Sequence, residues 1–143
     1  TVGTIFGAGG KIIGAGLSSL TSSVSKQATS KLTQLASKVI ANMGAGKGPV
    51  YGTKVHSAFG KIANGMKIGK YTIRTEVSYL NGNIVKHGTK GSARIDAGLY
   101  NSKGELVHVF DLKTGGARLT PQQVKHIQTQ TQKQVPVTEI RGN

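Results

Sequence analysis

Residues 92–116 read SARIDAGLYNSKGELVHVFDLKTGG, two apolar runs on either side of the turn-forming Asn101-Ser102-Lys103-Gly104. Each run carries acid where charge is costly to bury: Asp96 in the first, Asp111 with Lys113 in the second. In a strand, residues two apart share a face, so Asp111 and Lys113 point the same way while Leu112 points into a core. A hairpin closed at residues 101–104 brings Asp96 close to that pair. Two carboxylates and a lysine in one place suggest a metal-dependent hydrolytic centre.

The composition narrows the partners. A chain of 143 residues has room for one compact domain and an extra segment. Its net charge of +14 points to a polyanion, with nucleic acid first, and a membrane surface or an acidic inhibitor protein also fitting. The absence of cysteine excludes disulfides, cysteine-ligated zinc and thiol nucleophiles. There is no signal-peptide pattern and no apolar run of membrane-spanning length. The five acids are Glu76, Asp96, Glu105, Asp111 and Glu139, and each has the alternative of a structural ion pair with one of the many Lys or Arg residues.

Upstream, residues 71–80 are rich in β-branched and aromatic residues and predict a strand with Glu76 at its middle, followed by a hairpin signal at Asn81-Gly82-Asn83. Before it, residues 53–66 predict a helix with Val55, Phe59, Ile62 and Met66 on its inner face. His56 on that helix reads as structural, or as a substrate contact. The basic stretch 86–91 is placed to reach a backbone phosphate.

Downstream, Thr120-Pro121-Gln122-Gln123 predicts a capped helix start, with Val124, Ile127 and Thr131 facing inward to about residue 132. Residues 135–140 predict a last strand, which Pro136 places at a sheet edge.

Residues 1–49 differ from the rest: glycine-rich, without acids, and ending in the linker-like Gly44-Ala45-Gly46-Lys47-Gly48-Pro49. Apolar residues at helical spacing over 18–43 predict a helix, and Gly3, Gly7, Gly10 and Gly14 suggest close helix packing, or else a linker or a short docked hairpin. The boundary expected is a helical, Gly/Ala-rich leader or linker over 1–49 and a folded domain over 50–143. Neither Gly7-Ala8-Gly9-Gly10-Lys11 nor Gly44-Ala45-Gly46-Lys47 has the spacing of a phosphate loop.

The coarse order helix, three strands, helix, strand, with Asp96 followed by Asp111-Leu112-Lys113, resembles the PD-(D/E)xK, restriction-endonuclease-like nuclease superfamily. The first motif reads Ile95-Asp96, without the family's proline, and Ile127 stands where exonuclease-like members have tyrosine. The resemblance covers residues 53–141 and implies an α/β (α+β) fold, a mixed sheet flanked by helices in the order αβββαβ. It implies Asp96 and Asp111 as ligands of Mg²⁺ or Mn²⁺, Glu76 as a third ligand or water-mediated partner, and Lys113 as the lysine that orients the attacking water or neutralises the phosphorane. Ser92, Arg94, Gln123 and Arg118 are the expected phosphate contacts.

The basic leader followed by a small nuclease also resembles the C-terminal toxin region of bacterial polymorphic, contact-dependent growth inhibition proteins. That resemblance implies a nuclease toxin acting on DNA or tRNA, neutralised by an acidic immunity protein, in some cases needing a host activator. It would be delivered from the cell surface or by secretion as part of a larger protein, a reading that fits a chain beginning at Thr1. It would act in the cytoplasm of a target bacterium after membrane passage by the N-terminal segment. The competing expectation is a non-catalytic nucleic-acid-binding protein whose acids are structural.

Overall fold

The computed structural model describes the backbone of residues 5–7, 10–13 and 19–142, and side chains from residue 22. Its elements are β1 (Ile5–Gly7), β2 (Gly10–Ile13), α1 (Ser19–Met43), α2 (Gly48–Ala63), β3 (Lys67–Ile68), β4 (Tyr71–Leu80), β5 (Asn83–Val85), β6 (Ala93–Tyr100), β7 (Leu106–Leu112), α3 (Pro121–Thr131) and β8 (Val137–Ile140). From α2 onward the principal elements run α2, β4, β6, β7, α3, β8, the expected αβββαβ order. The sheet is mixed, ordered β1-β2-β8-β7-β6-β4-β3, with β5 pairing β4. All its ladders are antiparallel except β7 with β8.

Turn chemistry sets these pairings. Asn81 and Gly82 both have positive φ, 51° and 86°, as a tight two-residue hairpin requires, so β5 folds directly back on β4. At the β6–β7 turn, the Asn101 side-chain carbonyl accepts from the Lys103 and Glu105 amides at 3.0 and 2.9 Å. Gly104 there takes φ 81°. The antiparallel β6–β7 pair that carries Asp96 and Asp111 is thereby fixed locally.

Two apolar layers cover the sheet. On one face Ala28, Leu32, Ala36 and Val39 of α1 and Val55, Phe59 and Ala63 of α2 meet Ile73, Ala97, Leu99, Phe110, Leu112 and Ile140. On the other, Val124 and Ile127 of α3 meet Tyr79, Ile95, Tyr100, Val109 and Val137. Each fully buried Leu, Ile or Phe contributes roughly 1.5–3 kcal/mol, so the four inward residues of α1 are a substantial share of the first layer.

Four expectations are corrected. Helix α1, expected in a separate leader, packs in the same core as α2 and the sheet, because its apolar stripe repeats every three or four residues and faces the sheet. Residues 5–7 and 10–13, expected to be helical or else a linker or a short docked hairpin, form the antiparallel strands β1 and β2, the second of which extends the sheet through Ile12↔Thr138 and Ile13↔Val137. Helix α2 starts at Gly48, since Pro49 sits in its first turn, where a missing N–H costs nothing, and Ile62 is left exposed. Strand β8 is interior, paired on both sides, and Pro136 precedes its first residue, so the proline removes no bond from within that strand.

One buried polar cluster ties the layers together. His108 Nδ1 lies 2.9 Å from Ser25 Oγ of α1, and its Nε2 lies 2.5 Å from Thr138 Oγ1 of β8. The ring stacks on Phe110 with centroids 4.4 Å apart. Burial pushes the imidazole down to about 3, so it is neutral.

Candidate active site

The acids stand at the same level on neighbouring strands. The ladder pairs Thr75↔Ala97 and Val77↔Ile95 bracket Glu76 and Asp96, which therefore face each other across β4 and β6. Continuing Ala97↔Phe110 by one residue sets Asp96 level with Asp111, and Asp111 pairs in register with Glu139 of β8. Four of the five acids thus form one row across four strands.

The strand alternation breaks within that row. In β4, Ile73 packs in the α1/α2 layer but Val77 in the α3 layer, although an even spacing keeps residues on one face of a regular strand. In β6 the same reversal separates Ile95 from Ala97. The break is absorbed by Glu76, whose φ of 60° is left-handed and costs on the order of 1–3 kcal/mol for a residue with a side chain. Its carboxylate then lies against Gly60 of α2, where a β-carbon would stand 2.8 Å from Oε1. Arg94 Nη2 pairs with Glu76 Oε2 at 2.8 Å.

Asp96 turns to the same helix. Its Oδ2 accepts from the Leu112 amide at 2.7 Å, just beyond the last β6–β7 ladder pair, and lies 3.5 Å from His56 Nε2. His56 Nδ1 meets the Gly52 carbonyl at 2.8 Å and Nε2 the Leu112 carbonyl at 2.7 Å. Carbonyls only accept, so both ring nitrogens donate and the ring is an imidazolium. Chiefly through its contact with Asp96, His56 is raised to about 9.

Asp111 is more deeply set. Burial first, and then the neighbouring Asp96 charge, hold its carboxyl above the usual carboxylate range, against the opposing pull of Lys113. Lys113 Nζ stands 3.0 Å from Oδ2 as an ion pair, while that oxygen, itself buried, accepts no directed hydrogen bond. The backbone of Lys113 is fixed by its amide bond to the Ile140 carbonyl, 2.9 Å.

A cleft of about 780 Å³ opens over the Glu76 and Asp96 end of this row, between the start of α2 and the segment after Lys113. Lys47, His56, Glu76, Arg94, Asp96 and Thr114 line it, with Gly46, Gly48, Gly52, Gly115 and Gly116 leaving its walls low. Lys113 lines an adjoining hollow with Tyr51, Thr114 and Arg141.

Of the expected site residues, Asp96, Asp111 and Lys113 come together, but only Asp96 lines the cleft, with Glu76 and Arg94 bound to each other beside it, while Lys113 lines the adjoining hollow and Asp111 lines neither. The other three phosphate contacts have different roles and do not line the cleft. Ser92 Oγ donates to the Thr89 carbonyl at 2.6 Å. Gln123 closes the capping box with Thr120. Arg118 pairs with Glu139 at 3.1 Å.

Two residues read from the sequence only in general terms, His56 as structural or a substrate contact and Glu139 as an acid open to a structural ion pair, take part beside the cleft. His56 is the cation facing Asp96, and its only signal was its place one residue from Val55 and four from Gly52 on the inward stripe of α2. Glu139 accepts from Arg118 and the Leu119 amide, and Arg141, which also contacts it, donates to the Gly115 and Ala117 carbonyls. Those bonds shape the 115–119 segment beside the cleft.

Among the described residues, no group of three or more His, Cys, Asp or Glu side chains is arranged to hold a metal ion. Two carboxylates suffice for Mg²⁺ or Mn²⁺, which keep several waters and take substrate phosphate oxygens. The repulsion between Asp96 and the buried Asp111 is what such an ion would relieve. No helix among the described residues is long and apolar enough to cross a membrane. No protein-family model, curated protein or solved structure matches the chain.

Proposed function

We propose that the chain is a metal-dependent nuclease that hydrolyses phosphodiester bonds of DNA or tRNA, and that it serves as the toxin domain of a larger bacterial protein of the contact-dependent inhibition type. The observation that supports the reading is the Asp96–Asp111 carboxylate pair with Lys113 3.0 Å from Asp111, its Asp96 member lining a cleft with Lys47 and Arg94. The net charge of +14 supports a polyanionic substrate and an acidic immunity protein as partners.

Asp96 and Asp111 would hold Mg²⁺ or Mn²⁺, which supplies Lewis-acid charge at the scissile phosphate and lowers the pKa of a water. Lys113, paired with Asp111, would neutralise charge that develops on the phosphate oxygens. Arg94 and Lys47 bind the flanking backbone. His56 spends both ring nitrogens on backbone carbonyls, so it positions Asp96 and does not transfer protons to substrate. Delivery, a host activator and membrane passage by the N-terminal segment belong to the same proposal and rest on the sequence resemblance.

A second reading has an observation in its favour: Glu76, Asp96, Asp111 and Glu139 each face a cationic side chain. Such pairing suits a non-catalytic nucleic-acid-binding protein with structural acids. Incubating the chain with plasmid DNA and with total RNA, in Mg²⁺, Mn²⁺ or EDTA and with and without bacterial lysate, separates the two. Metal-dependent cleavage that Asp111→Asn and Lys113→Ala remove while binding survives supports the nuclease. Binding without cleavage in every condition supports the alternative.

A further inference from the structure

The cleft continues beyond its acids. A second hollow of about 400 Å³ adjoins it, and Ser57 and Glu76 line both. Together the two follow one side of α2, from Lys47 before its first residue to Asn64 after its last. That side is supplied by Thr53, His56, Ser57, Gly60, Lys61 and Asn64, whose spacing from Thr53, at three, four, seven, eight and eleven residues, is that of one helical face. At about 1.5 Å per residue, the run from Lys47 to Lys61 is about 21 Å long.

The charges along this groove sum to a basic lining. Asp96 faces His56 and Glu76 faces Arg94, so both acids are matched. Lys47 and Lys61, at opposite ends, form no ion pair among the described residues. Asn64 uses its carbonyl oxygen to accept the Thr75 amide at 3.0 Å, which leaves its NH₂ group for a ligand. Ser57 is exposed, and its hydroxyl is unbonded among the described residues. A protein partner needs an apolar anchor, and from Thr53 to Asn64 the groove offers none: Val50 and Ile62, the large apolar side chains that α2 exposes, line neither hollow. Lysines, a hydroxyl and an amide are the groups that contact phosphate and sugar.

We infer that the cleft and the second hollow form one track for the backbone of a nucleic-acid strand, with Lys47 at one end and Ser57, Lys61 and Asn64 holding phosphates at the other, an inference that rests only on the nucleic-acid partner both functional readings share. At about 3.4 Å per nucleotide, the track spans about six nucleotides.

The track is tested on the full chain in EDTA, with circular dichroism confirming the fold of each variant. Affinity for a fluorescently labelled single-stranded oligonucleotide is read by anisotropy over a series of salt concentrations, for the wild type, Lys61→Ala and Lys125→Ala. The last removes the same charge from α3, on the other face of the sheet. Lys61→Ala is expected to weaken binding about fivefold and to reduce the salt slope by about 0.7, and Lys125→Ala to leave the slope unchanged. The chain has no cysteine, so Ser57→Cys and, on α3, Thr129→Cys each introduce a single thiol. Oligonucleotide should slow alkylation of the first severalfold and leave that of the second unchanged. Equal losses of affinity and slope in the two lysine variants overturn the track, as does an alkylation rate in Ser57→Cys that oligonucleotide does not alter. A wild-type chain that binds no oligonucleotide refutes the nucleic-acid partner itself, which is a different result.

Discussion

His56 Nε2 and Asp96 Oδ2 lie 3.5 Å apart, and the same ring nitrogen donates to the Leu112 carbonyl, so one side chain joins α2 to both strands that carry the paired carboxylates. The ring is raised to about 9 in the folded chain. A histidine with a raised pKa contributes stability that is complete below its unfolded value, about 6.5, and is lost as pH rises through the folded value. Wild-type chain is therefore expected to lose stability between pH 6.5 and 9. In His56→Gln that slope should be largely gone, as urea denaturation at a series of pH values would register. An equal alkaline slope in both chains would refute the assignment.

The second histidine acts in the opposite direction. His108 is depressed to about 3 by burial, so the unfolded chain binds more protons between that value and 6.5. Its contribution is complete above pH 6.5 and falls as the solution is acidified. Thermal melts from pH 7 to pH 4 should show a declining midpoint, and the decline should be shallower in His108→Gln.

Helix α1 is part of the core, which bears on any attempt to isolate residues 50–143. A chain starting at Val50 loses Ala28, Leu32, Ala36 and Val39 from the first apolar layer and leaves His108 without Ser25. It should be unfolded or molten by circular dichroism and inactive. The milder substitution Leu32→Ala should cost about 2–5 kcal/mol in denaturant unfolding. A cooperatively folded fragment 50–143 would contradict the packing described.

Gly142 approaches the backbone of Ala36, where a β-carbon would lie 2.7 Å from both the carbonyl carbon and oxygen. Neither backbone atom can rotate away as a side chain could. Gly142→Ala should destabilise the chain by about 1–3 kcal/mol, without a direct effect on oligonucleotide affinity in EDTA.

Thr120 accepts the Gln123 amide and Gln123 accepts the Thr120 amide, at 3.2 and 3.0 Å. Thr120→Ala opens this box and should cost about 1 kcal/mol. Gln123→Ala should have a comparable stability effect and little influence on nucleic-acid affinity, measured by anisotropy, because the side chain is engaged at the helix start.

Features governed by local rules were legible in the sequence. The bounds of β4, the turn after Leu80, the β6–β7 hairpin and the start of α3 each depend on a few adjacent residues whose conformational preferences agree. Asp96, Asp111 and Lys113 could be grouped because one short hairpin brings them together. The Glu76–Arg94 pair could not, since it follows from a break in strand alternation that no local preference marks at a glutamate. His56 met Asp96 only through the packing angle of α2, forty residues away in sequence. The stripe of α1 was visible, but what it covered was not, and glycines spaced for helix packing suited the observed hairpin equally well.

Strand β8 is the last made and yet lies between β7 and β2. During synthesis every other strand leaves the ribosome before the one that joins the β1–β2 hairpin to the rest of the sheet. Until it emerges, the Lys113 amide lacks the Ile140 carbonyl, Asp111 lacks its neighbour in register, and His108 lacks Thr138. The sheet closes only once residues 137–140 have been made. A chain cut before Val137 would keep Asp96, Asp111 and Lys113 on their local hairpin but lose the neighbouring strand that flanks Asp111 and anchors the Lys113 backbone.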